Sequence, residues 1–118
     1  DLSPAIRFLG VRDRAGLEGI VGVERHGDLG LLRSLAVRPD RRESGLGSAL
    51  VLEVERLAAA EGVGALYLLT TTAERFFSRR GYARAERDGA PAAIRGTSEF
   101  ASICPASAAV MHKALGPG

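Results

Sequence analysis

At 118 residues with 46% hydrophobic content, the chain has the size of one globular domain, enough to bury one core but not two, and residues 1–118 are read as a single domain. Sixteen Lys+Arg against 14 Asp+Glu leave a net charge of only +2, which argues against a nucleic-acid partner because phosphate tracking needs clustered positive charge. No apolar run approaches the roughly 20 residues that cross a bilayer and the first residues carry no leader pattern, so no membrane association is expected and the location is read as cytoplasmic.

Ile6 to Arg12 and Gly19 to Arg25 are β-rich stretches around the polar Asp13-Arg14-Ala15-Gly16, which predicts a hairpin. A second turn at His26-Gly27-Asp28 leads into Leu31 to Val37, giving three antiparallel strands in succession. Pro39 cannot continue a central strand, so the third strand ends there and releases the polar loop Asp40-Arg41-Arg42-Glu43-Ser44. A helix follows, with Leu46, Leu50, Val54 and Leu57 on one stripe, Glu53, Glu55, Arg56 and Glu61 on the other sides, and Gly62 as its stop. Ala65 to Leu69 is an apolar run of strand length that completes a strand–helix–strand crossover. Thr70-Thr71-Thr72 can cap a second helix, Ala73 to Arg80, closed by Gly81. Tyr82 to Glu86 reads as a strand, Pro91 to Ile103 as two short helical pieces broken near Gly96, and Ala108 to Leu115 as a closing strand.

The chemistry concentrates in Arg42-Glu43-Ser44-Gly45-Leu46-Gly47, an Arg-x-x-Gly-x-Gly run placed between a strand and an amphipathic helix. The first turn of a helix has backbone N–H groups without internal partners and a partial positive charge, so it can hold a diphosphate. Glycines at 45 and 47 remove Cβ atoms that would keep phosphate oxygens away, and Arg42 can add a charge-assisted contact. A Rossmann fingerprint is rejected because Leu50 stands where Gly or Ala is required, and a Walker loop because Gly-Lys followed by Ser or Thr is absent. A metal site is not expected, since two histidines and one cysteine lie far apart.

With Leu35-Ala36-Val37-Arg38-Pro39 before it, this run resembles the Arg/Gln-x-x-Gly-x-Gly/Ala signature of the GCN5-related N-acetyltransferase (GNAT) superfamily. A second block, Ala73-Glu74-Arg75-Phe76-Phe77-Ser78-Arg79-Arg80-Gly81-Tyr82, is similar to that family's Ala-x-x-Phe-Tyr-x-x-x-Gly-Phe. More narrowly, Gly30 to Leu35, the triple threonine, Arg95 to Phe100 and Cys104 to Ala108 resemble the arsenic-resistance subgroup. The resemblance implies an α/β (α+β) GNAT fold, a mixed and mostly antiparallel sheet flanked by helices and splayed between the family's fourth and fifth strands. It implies acetyl-CoA as cosubstrate and a small-molecule amine as acceptor, with no metal, in a monomer or homodimer. Family members usually open with a strand and two helices before the first hairpin strand, whereas this chain starts almost at the hairpin.

By that match Leu35, Ala36 and Val37 line the pantetheine arm, and Leu35 N–H is the donor to the thioester carbonyl. Residues 42–48 (Arg42, Glu43, Ser44, Gly45, Leu46, Gly47 and Ser48) hold the diphosphate, and Phe76 and Phe77 wall the cleft. An acceptor ammonium must lose a proton before attack, and Glu24 is the first candidate base with Glu99 second. Arg33 lies in an otherwise apolar strand and is expected either to bind an acceptor carboxylate or to pair with Glu24 or Glu99. Many relatives carry a tyrosine where this chain has Phe77, which leaves the acid unassigned, with Tyr67, Tyr82 and Ser107 as substitutes; Cys104 is read as structural. The rival to an N-acetyltransferase is a module that binds acetyl-CoA without turnover.

Overall fold

In the computed structural model the described residues are 6–97, 100 and 108–116. Their chain order is β1 (Ile6–Asp13), β2 (Gly16–His26), β3 (Leu29–Val37), a 3-10 turn (Pro39–Arg41), α1 (Leu46–Ala60), β4 (Ala65–Thr70), α2 (Glu74–Ser78), β5 (Ala83–Ala85), α3 (Ala92–Arg95) and β6 (Ala109–Ala114). The strands form one sheet in the order β1-β2-β3-β4-β6-β5, antiparallel except for the β3–β4 pair. A parallel pair needs a crossover, and α1 supplies it.

The three leading strands, the crossover and the closing strand all form as expected. Differences lie at the edges of elements. β2 begins at Gly16, so the first turn is only Arg14-Ala15, and α2 is confined to Glu74–Ser78 because Arg80 and Gly81 already turn back toward the sheet. Thr70 Oγ1 accepts from Ala73 N–H at 2.9 Å and so closes the turn before α2, while α2 itself has no side-chain cap. Of the two helical pieces expected from Pro91, the first is α3, ending at Gly96; the second falls largely outside the described residues.

One face of the sheet is covered by α1, whose Leu50, Val51, Val54 and Ala58 pack against Val21, Val23, Leu32, Leu66, Leu68 and Met111. The other face carries a smaller cluster of Leu31, Ala90, Ile94, Phe100 and Val110. Truncating one of the fully buried side chains, Leu66 for example, would cost about 2–5 kcal/mol through lost transfer energy plus the cavity left behind.

Two irregularities in β3 shape the molecule's opening. The β2–β3 register runs Ile20↔Ala36 and then Gly22↔Arg33, so two residues of β3, Ser34 and Leu35, oppose one of β2, Val21. This bulge is centred on Ser34, a non-glycine residue at φ 61°. It resets the side-chain alternation, which is why both Leu32 and Leu35 pack on the α1 face although they are three apart. The second irregularity is that β3 pairs with β4 only over Leu29–Leu31 against Ala65–Tyr67. Beyond Leu31 the two strands part, while β4 stays bonded to β6 as far as Thr70.

Candidate active site

The parted strands leave a cleft of about 280 Å³. One wall is Leu32 to Leu35; the other is Leu68 to Ala73, with Phe77 at the base. A sheet edge left unpaired in this way can accept an extended chain as an additional strand. Arg33, Leu35 and Phe77, three of the residues singled out from sequence, meet here. Thr70, Thr71 and Thr72 line the same cleft, a role their reading as cap residues did not include.

A second cavity, of about 460 Å³, lies further along β3 between Val37 and Phe76, over the glycine loop. Glu43 at φ 65° and Gly45 at φ 89° put two left-handed residues in the loop, an alternation that turns successive N–H groups inward. The first bond of α1 is Ala49 N–H to Gly45 O at 3.0 Å. Among the described residues the amides of Gly45, Gly47 and Ser48 have no acceptor, and that of Leu46 reaches only Ser44 Oγ at 3.4 Å. These free donors at the positive end of a 15-residue helix are an arrangement able to hold an anion. Ser44 Oγ donates to Arg41 O and braces the loop from within.

The two glycines serve different ends. Gly45 is required by its left-handed backbone, since a Cβ there would meet nothing within 4 Å. A Cβ on Gly47 would instead meet the Phe76 ring at 3.4 Å, an ordinary contact distance, so the aromatic ring lies directly over the helix start.

Arg41, Arg42, Arg79 and Arg80 bring four guanidinium groups to this cavity, against one carboxylate, Glu43. Arg41 is neutralised by Glu18 at 2.7 Å. Arg80 stacks over Phe76 at 3.7 Å and donates to Phe76 O and to Ser48 Oγ, tying α2 to the first turn of α1. Sequence reasoning assigned no role to Arg79 and Arg80, because basic residues at a helix C-terminus are ordinary complements of its dipole.

The acceptor candidates lie on the opposite face from α1. Arg33 Nη1 donates to Glu24 Oε2 at 2.7 Å, and His26 Nε2 lies 2.9 Å from Glu24 Oε1. Glu24 is 3% exposed and does not line the cleft. Arg33 does, and its Nε is buried with no partner among the described residues. The ion pair is thus present, and it leaves Arg33 with a donor to spare. Glu99, Cys104 and Ser107 lie outside the described residues.

Tyr82 is 3% exposed and donates to Glu55 Oε2 at 2.9 Å in the α1-side core, its ring packed behind Phe77 with centroids 5.4 Å apart. Burial, reinforced by the Glu55 charge, pushes its phenol well above the ordinary tyrosine range. Tyr67 stacks on His112 with ring centroids 5.5 Å apart. Neither tyrosine lines the cleft.

The Acetyltransferase (GNAT) domain model matches residues 4–84, and the chain belongs to that family. It is 39% identical over 66 residues to an amino-acid acetyltransferase of Ectopseudomonas mendocina, a match covering 56% of this chain and 15% of the relative. The fold is similar to N-acetylglutamate synthase of Neisseria gonorrhoeae complexed with coenzyme A and N-acetyl-glutamate, with TM-score 0.80, 22% identity and coverage of 92% of this chain and 26% of that one. It is also similar to a GNAT acetyltransferase of Staphylococcus aureus, with TM-score 0.79, 17% identity and coverage of 96% and 70%. The match thus spans about a seventh of the length of the curated relative. Among the described residues no helix is long and apolar enough to cross a membrane.

Proposed function

We propose that this chain is an N-acetyltransferase that moves an acetyl group from acetyl-CoA directly to the primary amine of a small, carboxylate-bearing acceptor, an amino acid or an amino-acid analogue. The observation that carries this reading is the parting of β3 from β4 after Leu31, in line with an anion cradle at the start of α1. A diphosphate and an extended arm need those two features in that order.

Acetyl-CoA supplies a thioester whose carbonyl carbon an amine can attack. The amides of Gly45 to Ser48 and the Arg42 side chain hold the diphosphate, and the β3 edge from Leu35 to Val37 aligns the arm. Leu35 N–H, presented beside the Ser34 bulge, stabilises the negative charge that develops on the carbonyl oxygen. Arg33, whose side chain is 26% exposed and lines the cleft, takes the acceptor carboxylate through the guanidinium edge that Glu24 leaves free, and Glu24 orients Arg33 from behind. Glu24 is buried and does not line the cleft, so as the assigned base it would receive the ammonium proton through an intervening water. Phe77 has no proton to give, but a thiol of pKa about 8.5 leaves tolerably without an acid.

Support for the acceptor class comes from the names of the amino-acid acetyltransferases that match in sequence and from the N-acetyl-glutamate held by the solved synthase. The subgroup resemblance adds arsenic-bearing amino-acid analogues to the same class. The test is thiol release from acetyl-CoA across a panel of amino acids, their analogues and amines without a carboxylate. Turnover confined to carboxylate-bearing amines supports the reading, and turnover of polyamines or protein amines alone would replace the acceptor class. Phe77 favours a second reading, binding without catalysis, which predicts thermal protection by coenzyme A and no thiol release with any amine.

A further inference from the structure

We infer that Arg38, clamped between Asp13 and Asp40, is a positioning residue that presets the diphosphate-binding loop from the turn of the β1–β2 hairpin. The inference rests on the function proposed above and adds a determinant of coenzyme affinity outside the binding cavity.

Arg38 follows the last residue of β3 and directly precedes the 3-10 turn that opens the loop. Its guanidinium forks two ways. Nη1 and Nη2 donate to the Asp13 carboxylate at 3.0 and 2.6 Å, and Nε and Nη2 donate to Asp40 at 2.6 and 3.2 Å. Asp13 is itself pinned, because its Oδ1 accepts from Ala15 N–H at 2.8 Å within the hairpin turn. The hairpin makes two further bonds to the same segment: Glu18 O accepts from Arg38 N–H at 2.7 Å, and the Glu18 carboxylate pairs with Arg41 at 2.7 Å. Arg41 N–H in turn donates to Arg38 O at 2.8 Å, which closes the 3-10 turn.

None of Asp13, Arg38 and Asp40 lines the cavity over the loop, so any influence on an anion there passes through the loop backbone. That backbone includes Glu43 at φ 65°, a conformation an L residue leaves readily unless its surroundings hold it. Amides that are aligned before an anion arrives bind it more tightly than amides ordered by the event. The Arg38 pairing also holds the Asp13 carboxyl down at about 2, so the clamp stays charged across the working pH range.

The test compares coenzyme A binding by calorimetry for the wild type, Asp13→Asn, Arg38→Ala, Arg38→Lys and the Asp13→Asn/Arg38→Ala double variant. Asp13→Asn keeps an acceptor for Ala15 N–H, so the hairpin turn survives while the charged fork is lost. Losing a bidentate pair is expected to raise Kd about tenfold in Asp13→Asn and in Arg38→Ala. Lysine should not restore it, because an ammonium cannot fork between two carboxylates. The double variant should bind no more weakly than Arg38→Ala, backbone amides of residues 39–48 should exchange about tenfold faster without ligand, and kcat at saturating acetyl-CoA should be retained. Folded variants with wild-type Kd and unchanged loop exchange would overturn the inference and leave the proposed function standing. A wild-type chain that binds no coenzyme A would overturn both. Should Arg38→Ala fail to fold, Asp13→Asn and Asp40→Asn decide on the same two readouts.

Discussion

Arg33 on β3 and Glu24 on β2 meet at 2.7 Å although they are not opposite one another in the ladder: Glu24 faces Leu31, and Arg33 faces Gly22. The diagonal works because Gly22 has no side chain to fill the space between them and because Phe8 lies over that glycine from β1, within 3 Å of where a Cβ would be. Of the two, Arg33 lines the cleft and Glu24 lies buried behind it.

Replacing Arg33 therefore separates acceptor binding from coenzyme binding. A charge-assisted contact to a carboxylate is worth about 1.5–3 kcal/mol, so Arg33→Ala is expected to raise KM for an amino-acid acceptor by roughly 10–100-fold. KM for acetyl-CoA should stay within about twofold, because no coenzyme contact is assigned to the Arg33 side chain. Arg33→Lys, which keeps a charge for the buried Glu24, should fall between the two and guards against a loss that is only of folding. Equal loss for acceptors with and without a carboxylate would refute the assignment.

Both residues stood out in the sequence, as did the choice between an acceptor contact and an ion pair. What the sequence did not contain was the register: a bulge at Ser34 shifts every later residue of β3 by one, and serine carries no turn signal of the kind glycine does. Strands, crossover and the loop before α1 were legible because alternation, Pro39 and the glycines at 45, 62 and 81 punctuate the chain. β5 was legible as a strand within Tyr82 to Glu86, but its limits and the early end of α2 were not, because three or five residues carry too little periodicity to mark them. Nor could spacing show that Gly47 answers to Phe76, a contact made 29 positions away.

That contact yields an asymmetric prediction for the loop. Gly45→Ala forces an L side chain into the left-handed region at a cost of about 1–2 kcal/mol, and any relaxation moves the amides that hold the anion. Gly47→Ala gains up to about 1 kcal/mol of helix propensity and meets the Phe76 ring at ordinary contact distance. Thermal melts should show Gly45→Ala less stable and Gly47→Ala near wild type, and the KM for acetyl-CoA should rise more for Gly45→Ala. The reverse order would mean that the glycines had been assigned the wrong tasks.

Acid should loosen the clamp at Arg38 before it unfolds the core. The Asp13 carboxyl is lowered from 3.8 to about 2, chiefly by its hydrogen bonds from Arg38, and Asp40 is lowered by the same guanidinium. A carboxylate with a depressed folded-state pKa adds stability above its unfolded pKa and loses it as pH falls through the folded value. The melting-temperature difference between wild type and Asp13→Asn should accordingly be constant above about pH 5 and shrink toward zero near pH 2. A difference that persists unchanged at pH 2 would show that charge is not what Asp13 contributes.

The last prediction concerns the buried group that anchors α1 to the end of the sheet. Glu55 is 8% exposed and its carboxylate accepts from Tyr82 Oη at 2.9 Å and from Lys113 Nζ at 3.0 and 3.2 Å, while Lys113 also donates to Arg80 O at 2.9 Å. Lys113 is the chain's single lysine, so no neighbouring ammonium can replace it. Tyr82→Phe removes one donor and should cost about 1 kcal/mol; Lys113→Met leaves a largely buried carboxylate without its counter-charge and should cost about 2–4 kcal/mol, the upper end reduced by the partial exposure of the lysine. Removing both ends of the pair, in Glu55→Met/Lys113→Met, should recover much of that loss, because no charge is then left unpaired. Denaturant unfolding of the wild type, Glu55→Met, Lys113→Met and the double variant measures the coupling. The raised Tyr82 phenol adds a pH signature: its contribution is complete below the unfolded value near 10 and disappears as pH rises toward the folded one, so wild type should converge on Tyr82→Phe in strong alkali. Additive losses from the single changes, with no recovery in the double variant, would show that the three side chains are neighbours without being partners.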